Sequence, residues 1–213
     1  STSEKNLQAP RGKRGPLNIL VIRKGYIVAE YGDTYQVDTI FSCAKSVTSM
    51  LTGIAYDKDL IQDLNSPVSA SVKDKGFSTS HNKKCTWENF LQQTSEWDGT
   101  MWHGKSAKNE IHWNQRMGKP IQEPGTFWHY TNIRVGRLAK SLATLFGEPL
   151  QNVLKREIMN PIGGSGSWVW HEYKDGVVKV KGKSFRTVEG AGGHWGGGLL
   201  MHSRDLGLSL IHI

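Results

Sequence analysis

The chain has little cysteine, no long apolar run and no metal-binding spacing. Each of these absences excludes a class of protein. Two cysteines, Cys43 and Cys85, among 213 residues do not make a disulfide framework. No stretch approaches the ~20 consecutive apolar residues of a membrane-spanning helix, and none resembles a signal peptide. No His-Glu-x-x-His or Cys-x-x-Cys occurs, so we expect neither a metal site nor a bound cofactor. We predict a soluble chain without a membrane partner, whose compartment (periplasmic, secreted or cytoplasmic) stays open.

Positive charge is in excess but not concentrated. The net charge is +8, from 27 Lys and Arg against 19 Asp and Glu. The basic residues are spread along the chain, and no dense run is interleaved with aromatic residues, as a base-stacking surface would require. We therefore interpret the charge as solvated surface and expect no nucleic-acid partner. A basic binding module is the weakest alternative, and the oligomeric state is not predicted.

Length and patterning indicate one large domain with a subdomain. We divide the chain into a basic tail at 1–16 and a domain at 17–213, with a helical subdomain at about 68–165. The predicted fold class is α/β (α+β), in which helices pack against an antiparallel sheet. The predicted strands are Leu17 to Arg23, which we expect to be buried, Tyr26 to Tyr31, and the pair Ser167 to His171 and Val177 to Val180 around an Asp175-Gly176 turn.

Four segments show the apolar spacing of amphipathic helices. The first contains Val47, Met50, Leu51 and Ile54 at i, i+3, i+4 and i+7 and closes near Asp57. The others are Trp87 to Gln93 capped by Thr86, the run with Val135, Leu138, Ala139 and Leu142, and the run with Val153, Leu154 and Ile158. Ser203 is expected to cap a last helix.

Ser42 and Lys45 open the first helix and are the strongest candidates for chemistry. Three residues apart, they lie side by side one helical turn apart. A serine hydroxyl becomes a nucleophile when a neighbour takes its proton, and a lysine can do so if burial lowers its pKa. The alternative is a helix cap beside a solvated lysine. Ser80 and Lys83 repeat the spacing in a polar stretch that we interpret as a loop.

Aromatic residues and histidines crowd two irregular stretches. Trp97 and Trp102 lie in the unpatterned region 97–128, which predicts either a pocket lining or a cover over the helices. His194 and Trp195 lie in the glycine-dense segment 190–198, where the backbone can approach closely. We predict that all four are candidate substrate-binding residues.

Tyr130-Thr131-Asn132 is the only Tyr-x-Asn in the chain, 88 residues after Ser42 and just before a predicted helix. A phenol near a cation can relay a proton, and a carboxamide can orient a lysine and a substrate. The alternative for Tyr130 is a core tyrosine whose hydroxyl is bonded.

Together these motifs resemble the serine β-lactamase and penicillin-binding superfamily, and most closely its class C-related hydrolases, which include family VIII esterases, D-aminopeptidases and nylon-oligomer hydrolases. The resemblance extends from about Leu17 to the end. The ordered segments that carry it are Phe41 to Ser46, Leu91 to Ser95, Glu123 to Asn132, Ile158 to Gly163, and Gly197 to Leu206.

The resemblance implies a β-lactamase-like fold, in which an antiparallel sheet packs with helices. It implies Ser42 as acylated nucleophile, Lys45 as its base, Tyr130 as proton relay to the leaving group, and Asn132 as a contact to lysine and substrate. The Ser42 N–H would supply half of an oxyanion hole. A third family motif, Lys-Thr-Gly or His-Thr-Gly on a strand after the last helix, has no match here. We therefore expect the C-terminal strands to be missing and the Leu17–Tyr31 hairpin to show an apolar face and an unpaired edge.

The predicted function is hydrolysis of small esters or amides through an acyl-enzyme on Ser42. One alternative is a truncated, catalytically inactive chain, and another is β-lactamase or D-alanyl peptidase activity. The sequence does not choose among ester, β-lactam, peptide and oligoamide substrates, because that choice depends on pocket shape.

Overall fold

The computed structural model describes residues 15–101, 120–190 and 198–211. The described part contains seven strands and six α-helices. The strands are β1 Ile19–Arg23, β2 Tyr26–Tyr31, β3 Asp38–Thr39, β4 Val169–Trp170, β5 Glu172–Val180, β6 Lys183–Val188 and β7 Leu199–Met201. The helices are α1 Ala44–Asp57, α2 Val68–Ser71, α3 Trp87–Leu91, α4 Asn132–Phe146, α5 Leu150–Leu154 and α6 Ser203–Ile211. Short 3-10 turns lie at Phe41–Cys43, Lys75–Phe77 and Asn82–Lys84, and a π turn at Lys155–Met159.

The N-terminal hairpin pairs β1 with β2 as predicted, but the expectation that its first strand is buried is wrong. Ile19 and Val21 are 48% and 44% exposed, and every residue of β2 is exposed. The other face of β1 is partly covered, because helix α6 crosses it with Gly207 against Leu20 and Ile22. The hairpin therefore shows an apolar face that no described residue covers.

Helix α6 is present as predicted, but Ser203 is its first residue rather than its cap. Polar contacts hold this helix against the hairpin. Arg204 binds the Glu30 carboxylate through both oxygens, at 2.8 and 2.7 Å from Nη2. The Ser203 hydroxyl donates to Asn18 Oδ1. The pKa of Glu30 is lowered by its hydrogen bond from Thr34 and then by Arg204.

Helices α1 and α4 pack together in the core. The predicted stripe on α1 is rotated, since Val47 and Leu51 are buried whereas Met50 and Ile54 are only half-buried. Small residues complete the inner face of α1, and their size allows α4 to approach: Ala44, Thr48, Thr52 and Ala55. The apolar residues predicted for α4 are all buried: Val135, Leu138, Ala139 and Leu142.

The remaining strands form two small sheets. In the three-stranded sheet β7 lies between β3 and β4, with both pairings antiparallel. The other sheet is the β5–β6 hairpin. The predicted Asp175-Gly176 turn is wrong, because these residues lie within β5 at an irregularity of register. The chain turns instead at Lys181-Gly182, where φ is 48° and 76°.

Helix α3 is two residues shorter than predicted but has the expected start. The Thr86 side chain accepts from Asn89 N, and the Asn89 side chain accepts from Thr86 N, which together make a capping box. Within the described ranges, no helix has the length and apolar character needed to cross a membrane. The division into a tail, a domain and a helical subdomain stays a prediction.

Candidate active site

Ser42 is presented at the surface by a tight turn between strand and helix. It lies in the 3-10 turn Phe41–Cys43 immediately before α1, and its side chain is exposed. The chain enters this turn from the sheet, because Ile40 N donates to Leu199 O of β7 at 3.1 Å. Phe41 has a φ of 46°, a backbone conformation that is costly for a side chain of its size. The turn is thereby fixed between the sheet and the core helix.

Three polar groups from two distant segments meet at this turn. Lys45 Nζ donates to Ser42 Oγ at 3.0 Å, as expected for residues one helical turn apart. Tyr130 Oη donates to Ser42 Oγ at 2.8 Å across 88 residues of sequence. Lys45 Nζ also lies 4.9 Å from the centroid of the Tyr130 ring, within cation–π distance. An amine and a phenol therefore both lie within proton-transfer distance of the Ser42 hydroxyl oxygen.

The segment before α4 is held in place by Gln93. His129 N donates to Gln93 O at 2.9 Å, and Thr131 N donates to Gln93 Oε1 at 3.4 Å. These two bonds flank Tyr130. The Thr131 side chain also caps α4 by accepting from Arg134 N at 3.2 Å. Tyr130 thus ends a fixed loop at the start of a core helix.

Of the residues predicted to bind substrate, Asn132 lies close to Tyr130 in sequence, whereas Trp97 lies in the core. Asn132 is the first residue of α4, two positions after Tyr130, and is 6% exposed. Trp97 is 2% exposed, and its Nε1 donates to Gly76 O at 2.8 Å. Trp97 is therefore a core residue rather than part of an open cleft, which corrects its interpretation as a substrate contact. Trp102, His194 and Trp195 lie outside the described residues.

A buried ion pair that contacts the loop before α4 was not predicted from the sequence. Glu96 and Arg134 are 0% and 1% exposed at their side chains, and Oε1 and Nη1 are 2.7 Å apart. Glu96 also has a φ of 47°, which costs on the order of 1–3 kcal/mol in a residue other than glycine. The only signal available beforehand was an acid within an aromatic stretch. Trp128, two residues before Tyr130, is 52% exposed and adds an aromatic surface near this loop.

The two thiols differ in their surroundings. Cys43 follows Ser42 directly and is exposed, whereas Cys85 is buried, and both are free. Burial raises the pKa of Cys85 to about 12. In the described ranges, no group of three acidic, histidine or cysteine side chains could hold a metal ion. A surface cavity of about 690 Å³ lies elsewhere, between Pro67 and Lys83, and includes none of the three converging residues.

Comparisons with known proteins give one family from the sequence and one fold from the structure. A family model described as Beta-lactamase matches residues 7–207. No curated protein matches the chain significantly. A solved structure of a putative 6-aminohexanoate-dimer hydrolase from Bacillus anthracis is similar at a TM-score of 0.62 and 17% identity, covering 90% of this chain and 52% of its own.

Two further solved structures show the same fold. A beta-lactamase/D-alanine carboxypeptidase from Yersinia pestis, complexed with citrate, has a TM-score of 0.58 and 17% identity, and the match covers 87% of this chain and 59% of that one. A class C beta lactamase from Rhodobacter sphaeroides has a TM-score of 0.57 and 16% identity, with 87% and 57% covered. The present chain thus spans little more than half the length of these structures, and the β-lactamase-like fold predicted from the motifs is confirmed.

Proposed function

Because the chain belongs to the Beta-lactamase family, we propose that it is a serine hydrolase that cleaves small esters or amides through an acyl-enzyme on Ser42. The observation that supports this proposal is the approach of two proton-carrying groups to one hydroxyl oxygen. Lys45 Nζ and Tyr130 Oη lie 3.0 and 2.8 Å from Ser42 Oγ. A solvated lysine or a structural tyrosine would not require this arrangement.

In the proposed acylation, Ser42 Oγ attacks the carbonyl carbon of the substrate while neutral Lys45 takes the hydroxyl proton. The C–O bond to Ser42 forms, and the carbonyl oxygen becomes an oxyanion. The Ser42 backbone N–H would donate one hydrogen bond to that oxyanion, and loss of such a donor costs ~10²–10³ in rate. The tetrahedral intermediate then collapses and expels the alcohol or amine.

Tyr130 passes a proton to the departing oxygen or nitrogen, and its phenolate is reprotonated from Lys45. Deacylation repeats these steps with water as nucleophile, so that the carboxylic acid leaves and Ser42 regains its proton. Asn132, at the start of α4, would orient Lys45 and the substrate. The exposed ring of Trp128 offers an apolar surface for the acyl or leaving group.

Turnover of small chromogenic substrates tests this proposal. Purified protein and its Ser42→Ala variant are assayed with p-nitrophenyl acetate and with nitrocefin. We expect ester hydrolysis that the variant lacks, and turnover of nitrocefin would extend the substrates to β-lactams. Equal turnover by both proteins, or none by either, would favour the alternative of a catalytically inactive chain.

A further inference from the structure

Glu96 combines two features that are unusual for a glutamate. Its side chain is fully buried, and its backbone has a φ of 47°, in the left-handed region that favours glycine. A buried carboxylate persists only when its oxygens are bonded, and a strained backbone persists only when its surroundings hold it. The contacts of this carboxylate therefore show what the strain supports.

The two carboxylate oxygens of Glu96 hold the two ends of one segment. Oε1 accepts from Arg134 Nη1 at 2.7 Å, and Oε2 accepts from Gln122 N at 2.8 Å. Gln122 lies eight residues before Tyr130, and Arg134 lies four residues after it. One buried side chain thus closes the loop that presents Tyr130 to Ser42.

Arg134 carries the same support to the residue next to Tyr130. Its Nη1 lies 3.3 Å from His129 Nδ1, and its Nε donates to Trp97 O at 3.2 Å. Because a guanidinium can only donate, His129 Nδ1 acts as the acceptor. The backbone of Tyr130 is therefore flanked by a side chain that rests on the Glu96–Arg134 pair.

We propose that Glu96 is a positioning residue for Tyr130, and that its buried pair with Arg134 sets the position of the phenol relative to Ser42 Oγ. The inference rests on the proposed function for the role of Tyr130, but the geometry that it predicts can be measured without activity. Glu96→Gln tests it, because the amide NH₂ cannot accept a hydrogen bond. One of the two bonds, to Gln122 N or to Arg134, must then be lost.

A second, partly buried ion pair on the same helix supplies a control. Arg137, three residues beyond Arg134 on α4, pairs with Asp74 at 2.6 Å, and the two side chains are 2% and 28% exposed. The contacts described for this pair reach Phe77 and Trp97 but not the loop before α4. Asp74→Asn therefore weakens an Arg–carboxylate pair on the same helix whose described contacts do not include the loop that presents Tyr130.

The direct measurement is an NMR spectrum of protein labelled with ring-¹³C tyrosine. The chain has 6 tyrosines, so five serve as internal references, and Tyr130→Phe assigns the sixth. We expect Glu96→Gln to shift or broaden the Tyr130 signal alone and Asp74→Asn to leave it unchanged. An unchanged Tyr130 signal in Glu96→Gln, or an equal change in Asp74→Asn, overturns the inference.

A ratio of two rates gives the catalytic readout. Ethyl acetate needs a proton on its leaving group, whereas the p-nitrophenolate of p-nitrophenyl acetate leaves without one. A displacement of about 1 Å can cost on the order of 10²-fold, so we expect Glu96→Gln to lower kcat on ethyl acetate by about that factor and on p-nitrophenyl acetate far less. Partial unfolding lowers both rates equally, so an unchanged ratio contradicts the inference.

Failure of this inference can be distinguished from failure of the proposed function. If the unmodified protein shows no turnover that depends on Ser42, the proposed function fails, and the tyrosine spectrum still decides the role of Glu96.

If Glu96→Gln does not fold, the double variant Glu96→Gln/Arg134→Gln replaces it, because it leaves no unpaired buried charge. The same spectral change is expected there, and its absence overturns the inference.

Discussion

Gly190 is the point at which a single methyl group should disturb both the core and the site. A Cβ placed on Gly190 would lie 2.6 Å from Ala139 Cβ of α4, whereas carbon atoms in contact are 3.5–4.0 Å apart. The Gly190 carbonyl also accepts from Thr48 Oγ1 of α1 at 3.3 Å. Gly190→Ala must therefore move a backbone segment by about 1 Å between the two helices.

The expected cost follows from overpacking. An added methyl group in a packed core destabilises a protein by about 1–3 kcal/mol. For a chain of this length, each kcal/mol lowers Tm by about 2–4 °C, so we expect a fall of about 2–12 °C in a calorimetric melt. Turnover of p-nitrophenyl acetate should fall as well, because α1 and α4 begin beside Ser42 and Tyr130.

Gly53 provides the matched control within α1. A Cβ there would meet nothing within 4 Å, and the residue is exposed. In a helix interior, alanine is favoured over glycine by about 0.5–1 kcal/mol, so Gly53→Ala should raise Tm by about 1–4 °C. If both variants shift Tm in the same direction, or if Gly190→Ala has no effect, the packing described here is wrong.

Three further predictions concern individual groups. Lys45→Met should lower kcat on p-nitrophenyl acetate by about 10²–10⁴-fold without changing Tm, since Lys45 is the proposed base; a smaller loss argues for another base. A thiol reagent should label Cys43 alone in the native protein, because burial raises the pKa of Cys85 to about 12, and should label both cysteines after denaturation; native labelling of both contradicts this. The Thr34 hydrogen bond and Arg204 lower the pKa of Glu30, so its stabilising contact is present above the ordinary carboxyl value of about 4.3 and is lost only below it. The chemical shift of the Arg204 Nε–H should therefore stay constant from about pH 7 to pH 5. A change of this shift in that range would contradict the lowered pKa of Glu30.

Local patterns in the sequence were sufficient where helices form and where motifs repeat the spacing of a family. The apolar spacing around Leu138 and Leu142 predicted α4, and the Thr86 cap predicted the start of α3. The Ser42–Lys45 spacing predicted neighbours, because three residues in a helical turn fix that geometry. Their roles in catalysis stay proposals.

Long-range contacts explain what the sequence did not predict. Strands β3 and β7 contain two and three residues, too few for any alternation, and they exist because Ile40 and its neighbours pair with Leu199 and Leu200. The turn at Lys181-Gly182 was missed because Asp175-Gly176 has the stronger local turn signal. Glu96 pairs with Arg134 across 38 residues, a distance at which no periodicity can act.

The hairpin shows how an apolar sequence can mislead. Residues such as Val21 favour a buried strand by composition, yet Val21 is 44% exposed in the described structure. Burial depends on a partner surface, and within the described residues α6 covers only the face with Leu20 and Ile22. The accompanying expectation of an apolar face on this hairpin agrees with these exposures.

Covalent capture of Ser42 tests the central claim most directly. A fluorophosphonate replaces its fluoride with the hydroxyl oxygen of an activated serine, and the adduct adds one defined mass to the intact protein. We expect one adduct per chain, located by peptide mapping at Ser42, absent from Ser42→Ala and formed more slowly in Lys45→Met. An unlabelled wild-type protein, or an equal adduct on Ser42→Ala, would contradict it.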